Sequence, residues 1–244
     1  MAGRLDVGGV LGKVWKIYVD QAPVLMPAAA VVFVFTGILS TVLLKSGSGL
    51  GLLAELIGLI ATWLFTGMVV QLVADVQDGR RDATPGQLLR SVAPVLGSLV
   101  LVAVVAGILI VIGFVLIIVP GLILLTIWSV AVPAVVIERP PGLAALGRSR
   151  ELVRGNGWQV FGVILVLYFL VLVVSVALQA AGDSLSTGVG IVIAVVVGVL
   201  TAPLPALAQS VLYFELLALR GESRQATPDP PVPAPDAPNP FANS

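Results

Sequence analysis

The feature that most constrains this chain is a series of apolar runs too long for anything but a lipid bilayer. From Pro23 to Leu44 there is no charged side chain, and the same holds across 95–119 and 158–180. Crossing about 30 Å of hydrocarbon takes roughly 20 apolar residues in a helix. Six segments meet that requirement, at about 23–44, 50–76, 95–119, 121–138, 158–180 and 188–218. Composition agrees. The chain is 58% hydrophobic and 11% charged, with a mean hydropathy of +1.10, whereas a soluble domain carries roughly 25% charged residues. Backbone amides in lipid need partners within their own segment, and no run alternates as a barrel strand does, so the spans are helices. The sequence therefore predicts an all-α polytopic membrane protein with six transmembrane helices in three hairpins.

The basic residues set the orientation. With six spans, both termini and the second and fourth loops share one side. That side holds Arg4, Lys13, Lys16, Arg80, Arg81, Arg90, Arg139, Arg148, Arg150, Arg154, Arg220 and Arg224, and the other side holds Lys45 alone. Positive residues are retained in the cytoplasm, which predicts that both termini are cytoplasmic. The outer loops are short: KSGSG at 45–49, Val119-Pro120-Gly121, and AGDSLSTG at 181–188. Pro120-Gly121 reads as a tight turn, one residue fixing φ and the next free to take a positive φ. The stretch Arg4–Asp20 carries Lys13, Lys16 and Asp20 and does not read as a cleavable signal.

An amphipathic stretch precedes each pair of spans. In the first, Val7, Val10, Leu11, Val14, Trp15, Ile17, Tyr18 and Val19 share one arc of a helical wheel, opposite Lys13, Lys16 and Asp20. The second opens with Thr84-Pro85-Gly86-Gln87, a capping-box pattern with Pro at the first helical position. Leu88, Leu89, Val92 and Ala93 then face away from Arg90. The third sets Ala145, Leu146, Leu152 and Val153 against Arg148, Arg150, Glu151 and Arg154. Such stretches read as helices lying in the membrane interface. Ala22-Pro23-Val24-Leu25 recurs as Ala93-Pro94-Val95-Leu96. Asp75 precedes Gly79 as Glu138 precedes Gly142, and Arg220-Gly221 closes the third pair without the acid. The pattern predicts three repeats of surface helix, span, span, each needing neighbours to cover its surface helix. Residues 1–221 form the membrane domain. The tail 222–244 contains PDPPVPAPDAPNP and is too polar and proline-rich to bury a core.

With no Cys and no His in the chain, disulfides, thiolate chemistry, Cys/His zinc sites and any His-based triad are ruled out. No phosphate loop or dinucleotide fingerprint occurs. The formal net charge is zero, which gives no pull toward nucleic acid. The expectation is a protein that is not an enzyme and carries no cofactor or metal.

The remaining polar residues divide into structural and binding candidates. Glu138 sits where the fourth span leaves the membrane, and an acid there needs a partner. Arg148, Arg150 and Arg154 are the available bases, and Asp75 with Arg90 is the parallel pair in the second loop. Arg148, Arg150 and Arg154 also form a basic face suited to anionic lipid headgroups or to a membrane-protein partner. Gln71, Gln179 and Gln209 read as links between helices. Pro133 interrupts the fourth span and Pro203-Leu204-Pro205 the sixth. Trp15, Tyr18 and Trp158 read as interfacial anchors.

Around the fourth loop the residues are specific. Pro133, Glu138, Ala144-Ala145-Leu146, Arg148-Ser149, Leu152-Val153-Arg154-Gly155, Trp158 and Phe161-Gly162, with Pro120-Gly121 before the fourth span, resemble the membrane domain found with bacterial glycerophosphoryl diester phosphodiesterases. The resemblance runs over roughly 115–175. It implies a six-helix bacterial inner-membrane module, often standing alone. The catalytic barrel that accompanies it in some relatives uses His and metal-binding carboxylates, and this chain has neither the His nor room for that barrel. The resulting expectation is a non-enzymatic scaffold or lipid- or partner-interacting module with a basic cytoplasmic face. The alternative is a small-solute transporter or channel subunit, which would show a polar cavity lined by Gln71, Gln209 or Glu55.

Overall fold

A computed structural model describes residues 5–45, 51–79, 84–185 and 187–222. The loop at 46–49, Arg4, Arg80, Arg81, the side chain of Glu55 and the tail beyond Glu222 lie outside the described residues. Among the described residues the structure is all helix. Six helical segments are long and apolar enough to cross a membrane: Ala22–Ser40, Leu56–Gln77, Pro85–Leu116, Ile118–Glu138, Gly157–Gly182 and Val192–Leu219. The protein is a multi-pass helical membrane protein.

In chain order the helices are α1 (Val7–Asp20), α2 (Ala22–Lys45), α3 (Gly51–Gln77), α4 (Pro85–Val92), α5 (Leu96–Leu116), α6 (Ile118–Ile127), α7 (Ala131–Glu138), α8 (Ala144–Val153), α9 (Gly157–Leu185), α10 (Thr187–Thr201) and α11 (Pro203–Leu219). A single 3₁₀ turn, Ala93–Val95, joins α4 to α5 at Pro94. The three amphipathic stretches are the short helices α1, α4 and α8. Each bends into its first span over a few residues: at Gln21, at Ala93–Val95 and at 154–156. The α4 start follows its sequence signal, with the Gln87 side chain accepting from the Thr84 backbone N–H at 2.9 Å. Asp6 caps α1, accepting from the Gly8 N–H at 3.1 Å.

The prolines decide where the spans break. Pro133 has no N–H to donate to the carbonyl four residues back, so the helix loosens at 128–130 and α6 gives way to α7. Ala131 donates to Trp128 instead of continuing the ladder, which releases the Ile127 carbonyl. Pro203 breaks the sixth span at Ala202 in the same way, separating α10 from α11. Pro140 disfavours helical geometry at the residue before it. Helix α7 accordingly ends at Glu138, and Arg139 takes a left-handed conformation (φ 52°).

Each hairpin forms through intimate packing of its two spans: α2 on α3, α5 on α6 and α9 on α10. The second spans gather at the centre, where α3, α7 and α11 all touch one another. Their burial shows it: 39%, 44% and 28% of the second, fourth and sixth spans is buried, against 11%, 22% and 22% of the first, third and fifth. Every surface helix rests on the second span of the preceding unit: α4 on α3, α8 on α7, and α1 on α11, which closes the ring from the last unit to the first. This is the physical content of the repeat. A surface helix that buries Val10 and Val14, Leu88 and Val92, or Ala145, Leu152 and Val153 finds its cover on a neighbour. Gly79, Gly142 and Gly221 close the three second spans with positive φ (79°, 53° and 67°), as their matching sequence positions require.

One expectation is corrected. Pro120-Gly121 is not the turn between the third and fourth spans. The reversal occurs at Ile117, in extended backbone (φ −160°, ψ 144°), and both residues lie in the first turn of α6. Proline is tolerated there because the first amides of a helix have no intrahelical acceptor. Gly121 serves close approach instead. A Cβ on it would fall 2.5 Å from Phe114 Cγ, and one on Gly113 would fall 3.0 Å from Gly121 Cα.

Candidate functional site

The polar chemistry of the described chain collects at one end of the bundle, where α7 and α11 finish and α8 lies across them. Glu138 is the last residue of α7. Arg148, on α8, faces it: Nε is 2.9 Å from each of the two carboxylate oxygens. The same guanidinium reaches Glu151 from Nη1 at 3.5 Å and donates from Nη2 to Glu222, just past α11. From α11, the Tyr213 hydroxyl donates to Glu138 Oε1 at 2.8 Å. Arg220 donates to the main-chain carbonyl of Glu151 and lies 3.9 Å from its carboxylate. Three carboxylates thus converge on two guanidiniums and tie α7, α8 and the end of α11 into one joint.

This joint is electrostatically closed. The Arg148 guanidinium is held charged well above its ordinary range, first by its hydrogen bond to Glu222, which outweighs the opposing effect of burial, and further by Glu138. Arg148 in turn pulls the Glu222 carboxyl below its usual value. Of the three bases expected to form a lipid face, Arg148 is therefore spent inside the protein. The Glu138 partner anticipated among Arg148, Arg150 and Arg154 is Arg148. Glu222, assigned from the sequence to the tail, belongs to the joint.

The second anticipated pair does not form. Among the described residues no ion pair joins Asp75 to Arg90, and Asp75 keeps an interaction of its own. Helix α4 turns Leu88 and Val92 onto α3, and Val92 packs against Gly67. Arg90 lies two residues from each, so the helical period carries it to the opposite, exposed side. In its place Lys13 on α1 pairs with Glu215 on α11, across the junction that closes the ring.

The surface helices also plug the breaks in the spans. Ser149, fully buried on α8, donates to the free Ile127 carbonyl at 2.8 Å. Tyr18, on α1, donates to the Leu200 carbonyl at 2.9 Å beside the Pro203 break. The Arg139 guanidinium lies 3.4 Å from the Ser91 carbonyl at the end of α4. Gln71 reaches the Val136 carbonyl at 3.4 Å, and Gln179 the Gly190 carbonyl at 3.5 Å, so both glutamines link helices. Ser129, in the fourth-span break, has a buried hydroxyl with no partner among the described residues.

Outside the joint, α8 borders a cleft of about 540 Å³. Ile127, at the break, and Val153 supply its apolar wall. Arg150, Glu151 and Arg154 supply its charge, and Gly147, Gly155 and Gly157 keep it open. Arg150 and Arg154 are exposed and form no ion pair among the described residues. Trp158, beside Gly157 at the start of α9, is 85% exposed and edge-on to Phe161. A second cavity, between α2, α3 and α4, holds only about 10 Å³ and is lined by apolar side chains.

Comparison with known proteins adds no relative. No family model, curated protein or solved structure matches the chain. The functional reading therefore rests on the geometry of this rim.

Sequence reasoning found Glu138 and Arg148 but missed Tyr213, Glu151, Arg220 and Glu222 as parts of the joint, and Ser149 as the donor at the break. Ser149 had a signal: it falls on the same wheel arc as Ala145, Leu152 and Val153. Tyr213 had a weaker one, a phenol within an apolar span, which needs a partner for its hydroxyl.

Proposed function

We propose that the protein is a non-enzymatic scaffold of the bacterial inner membrane, with both termini in the cytoplasm, that holds anionic phospholipid against its basic rim. The observation that carries this reading is the cleft beside α8. It offers two guanidiniums that form no ion pair among the described residues, beside an apolar wall, and its lining residue Gly157 is followed by an exposed tryptophan of the kind that anchors at headgroup level. Guanidinium forks match phosphate oxygens in geometry as well as charge. An apolar wall beneath them suits an acyl chain. The segregation of basic residues supports the cytoplasmic placement, and the resemblance at 115–175 supports a bacterial inner-membrane module. Glu138, Glu151, Glu215 and Glu222 are engaged by Arg148, Arg220 and Lys13, which favours a structural over a catalytic role for them.

The test is lipid retention. The full chain is extracted in mild detergent, and bound phospholipid is measured by mass spectrometry of the intact protein. Wild type is expected to retain anionic phospholipid. The Arg150→Gln/Arg154→Gln double variant is expected to lose at least about tenfold, at roughly 1 kcal/mol per basic side chain near a membrane surface. Equal retention by the two proteins refutes the lipid reading.

A further inference from the structure

The cleft contains an acid among its bases, and the acid is fixed. Glu151 borders the cleft with Arg150 and Arg154. Its carboxylate lies 3.5 Å from Arg148 Nη1 and 3.9 Å from Arg220 Nη1, and Arg220 also grips its main-chain carbonyl. The side chain is 58% exposed at the cleft wall and stays within 4 Å of the two arginines. Arg148 and Arg220 are in turn matched by Glu138 and Glu222. In the joint and the cleft together, Arg148, Arg150, Arg154 and Arg220 meet Glu138, Glu151 and Glu222, which leaves one positive charge for a ligand.

Resting on the lipid reading above, we infer that the cleft selects a lipid with a singly charged phosphodiester over one with a doubly charged phosphomonoester, and that Glu151 is the residue that discriminates. A phosphodiester matches the single surplus charge. The second charge of a phosphomonoester would stand against the Glu151 carboxylate. Arg148 and Arg220 prevent that carboxylate from swinging away, so the repulsion is not relieved by rotation. A lipid rather than free phosphate is the occupant because the wall formed by Ile127 and Val153 is apolar and the exposed Trp158 directly follows the lining residue Gly157.

The experiment titrates the full chain, in zwitterionic nanodiscs at pH 8, with phosphatidylglycerol or phosphatidate and reads tryptophan fluorescence. Wild type should prefer the diester by about fivefold, the size of a solvent-accessible charge pair. At pH 6, where a phosphomonoester loses its second charge, the preference should shrink. Glu151→Gln should abolish it at pH 8. Tyr213→Phe, which removes a hydrogen bond of the same joint without altering its charge, should leave it intact. Equal or tighter binding of phosphatidate by wild type, an unchanged ratio in Glu151→Gln, or a lost preference in Tyr213→Phe overturns the assignment of Glu151. Failure of wild type to bind either lipid, or equivalent binding of inorganic phosphate, overturns the lipid reading itself.

Discussion

Neutralising Glu138 tests whether the rim is a joint. In Glu138→Gln the side chain keeps its volume, and the amide oxygen can still accept from Tyr213. What disappears is the two-oxygen contact with Arg148 Nε, 2.9 Å on each side. The two side chains are 20% and 28% exposed. A hydrogen bond to a charged group contributes roughly 1.5–3 kcal/mol when well shielded, and a fully exposed ion pair no more than about 1 kcal/mol. Partial burial places this contact between them, and Arg148 retains Glu222 and Glu151, so the expected loss is about 1–2 kcal/mol. Arg148→Gln should cost more, because Glu138 and Glu222 both lose their guanidinium, whereas Arg148 keeps two carboxylates when Glu138 is neutralised. The double variant should recover about 1 kcal/mol relative to the sum of the singles. Equilibrium unfolding in mild detergent, followed by tryptophan fluorescence, supplies all four free energies; Trp128 sits in the fourth-span break and reports the joint. Additive losses, to within about 0.3 kcal/mol, would refute a direct Glu138–Arg148 coupling.

The other predictions use the same unfolding assay. Ser149→Ala should cost about 1–2 kcal/mol, because it leaves the Ile127 carbonyl without its donor; an unchanged stability would show that the break is capped in another way. Gly121→Ala should destabilise by about 1–3 kcal/mol through overlap with Phe114, whereas Gly107→Ala, with open space around it, should not destabilise; equal effects would contradict the close α5–α6 packing. The Glu222 carboxyl is lowered from 4.5 in the folded state by Arg148, so its contribution is full above that value and disappears as pH falls through the lower folded value. The stability gap between wild type and Glu222→Gln should therefore close with acidification below about pH 4.5, and a gap that persists or widens would mean that Arg148 does not depress this carboxyl.

The fold was legible because apolar length and charge placement are global quantities. No detail of packing was needed to find six spans, three surface helices or the break at Pro133. The joint was legible only in part. Glu138 announced its need for a partner by its position at a span end, but three arginines were within reach along α8. The choice of Arg148 depends on how α8 lies across α7 and α11, a tertiary matter. Pro120-Gly121 misled for a related reason. The dipeptide suits a tight turn and equally suits the first turn of a helix beside a close neighbour, and only the position of Phe114 and Gly113 decides between them. Asp75 and Arg90 were paired by analogy with Glu138 and Arg148, yet α4 buries Leu88 and Val92 and thereby turns Arg90 outward.

The most direct test of the whole arrangement is sidedness, and a chain without cysteine makes it clean. Single cysteines at Gly12, Gly86 and Gly147 would sit on the three surface helices with open space around each, and Ser48→Cys and Ser186→Cys would report the opposite ends of the hairpins. With a membrane-impermeant maleimide on intact cells, the first three should stay unlabelled until the membrane is opened, while the last two should label at once. Labelling of any surface-helix cysteine in intact cells would contradict a single cytoplasmic rim built from all three.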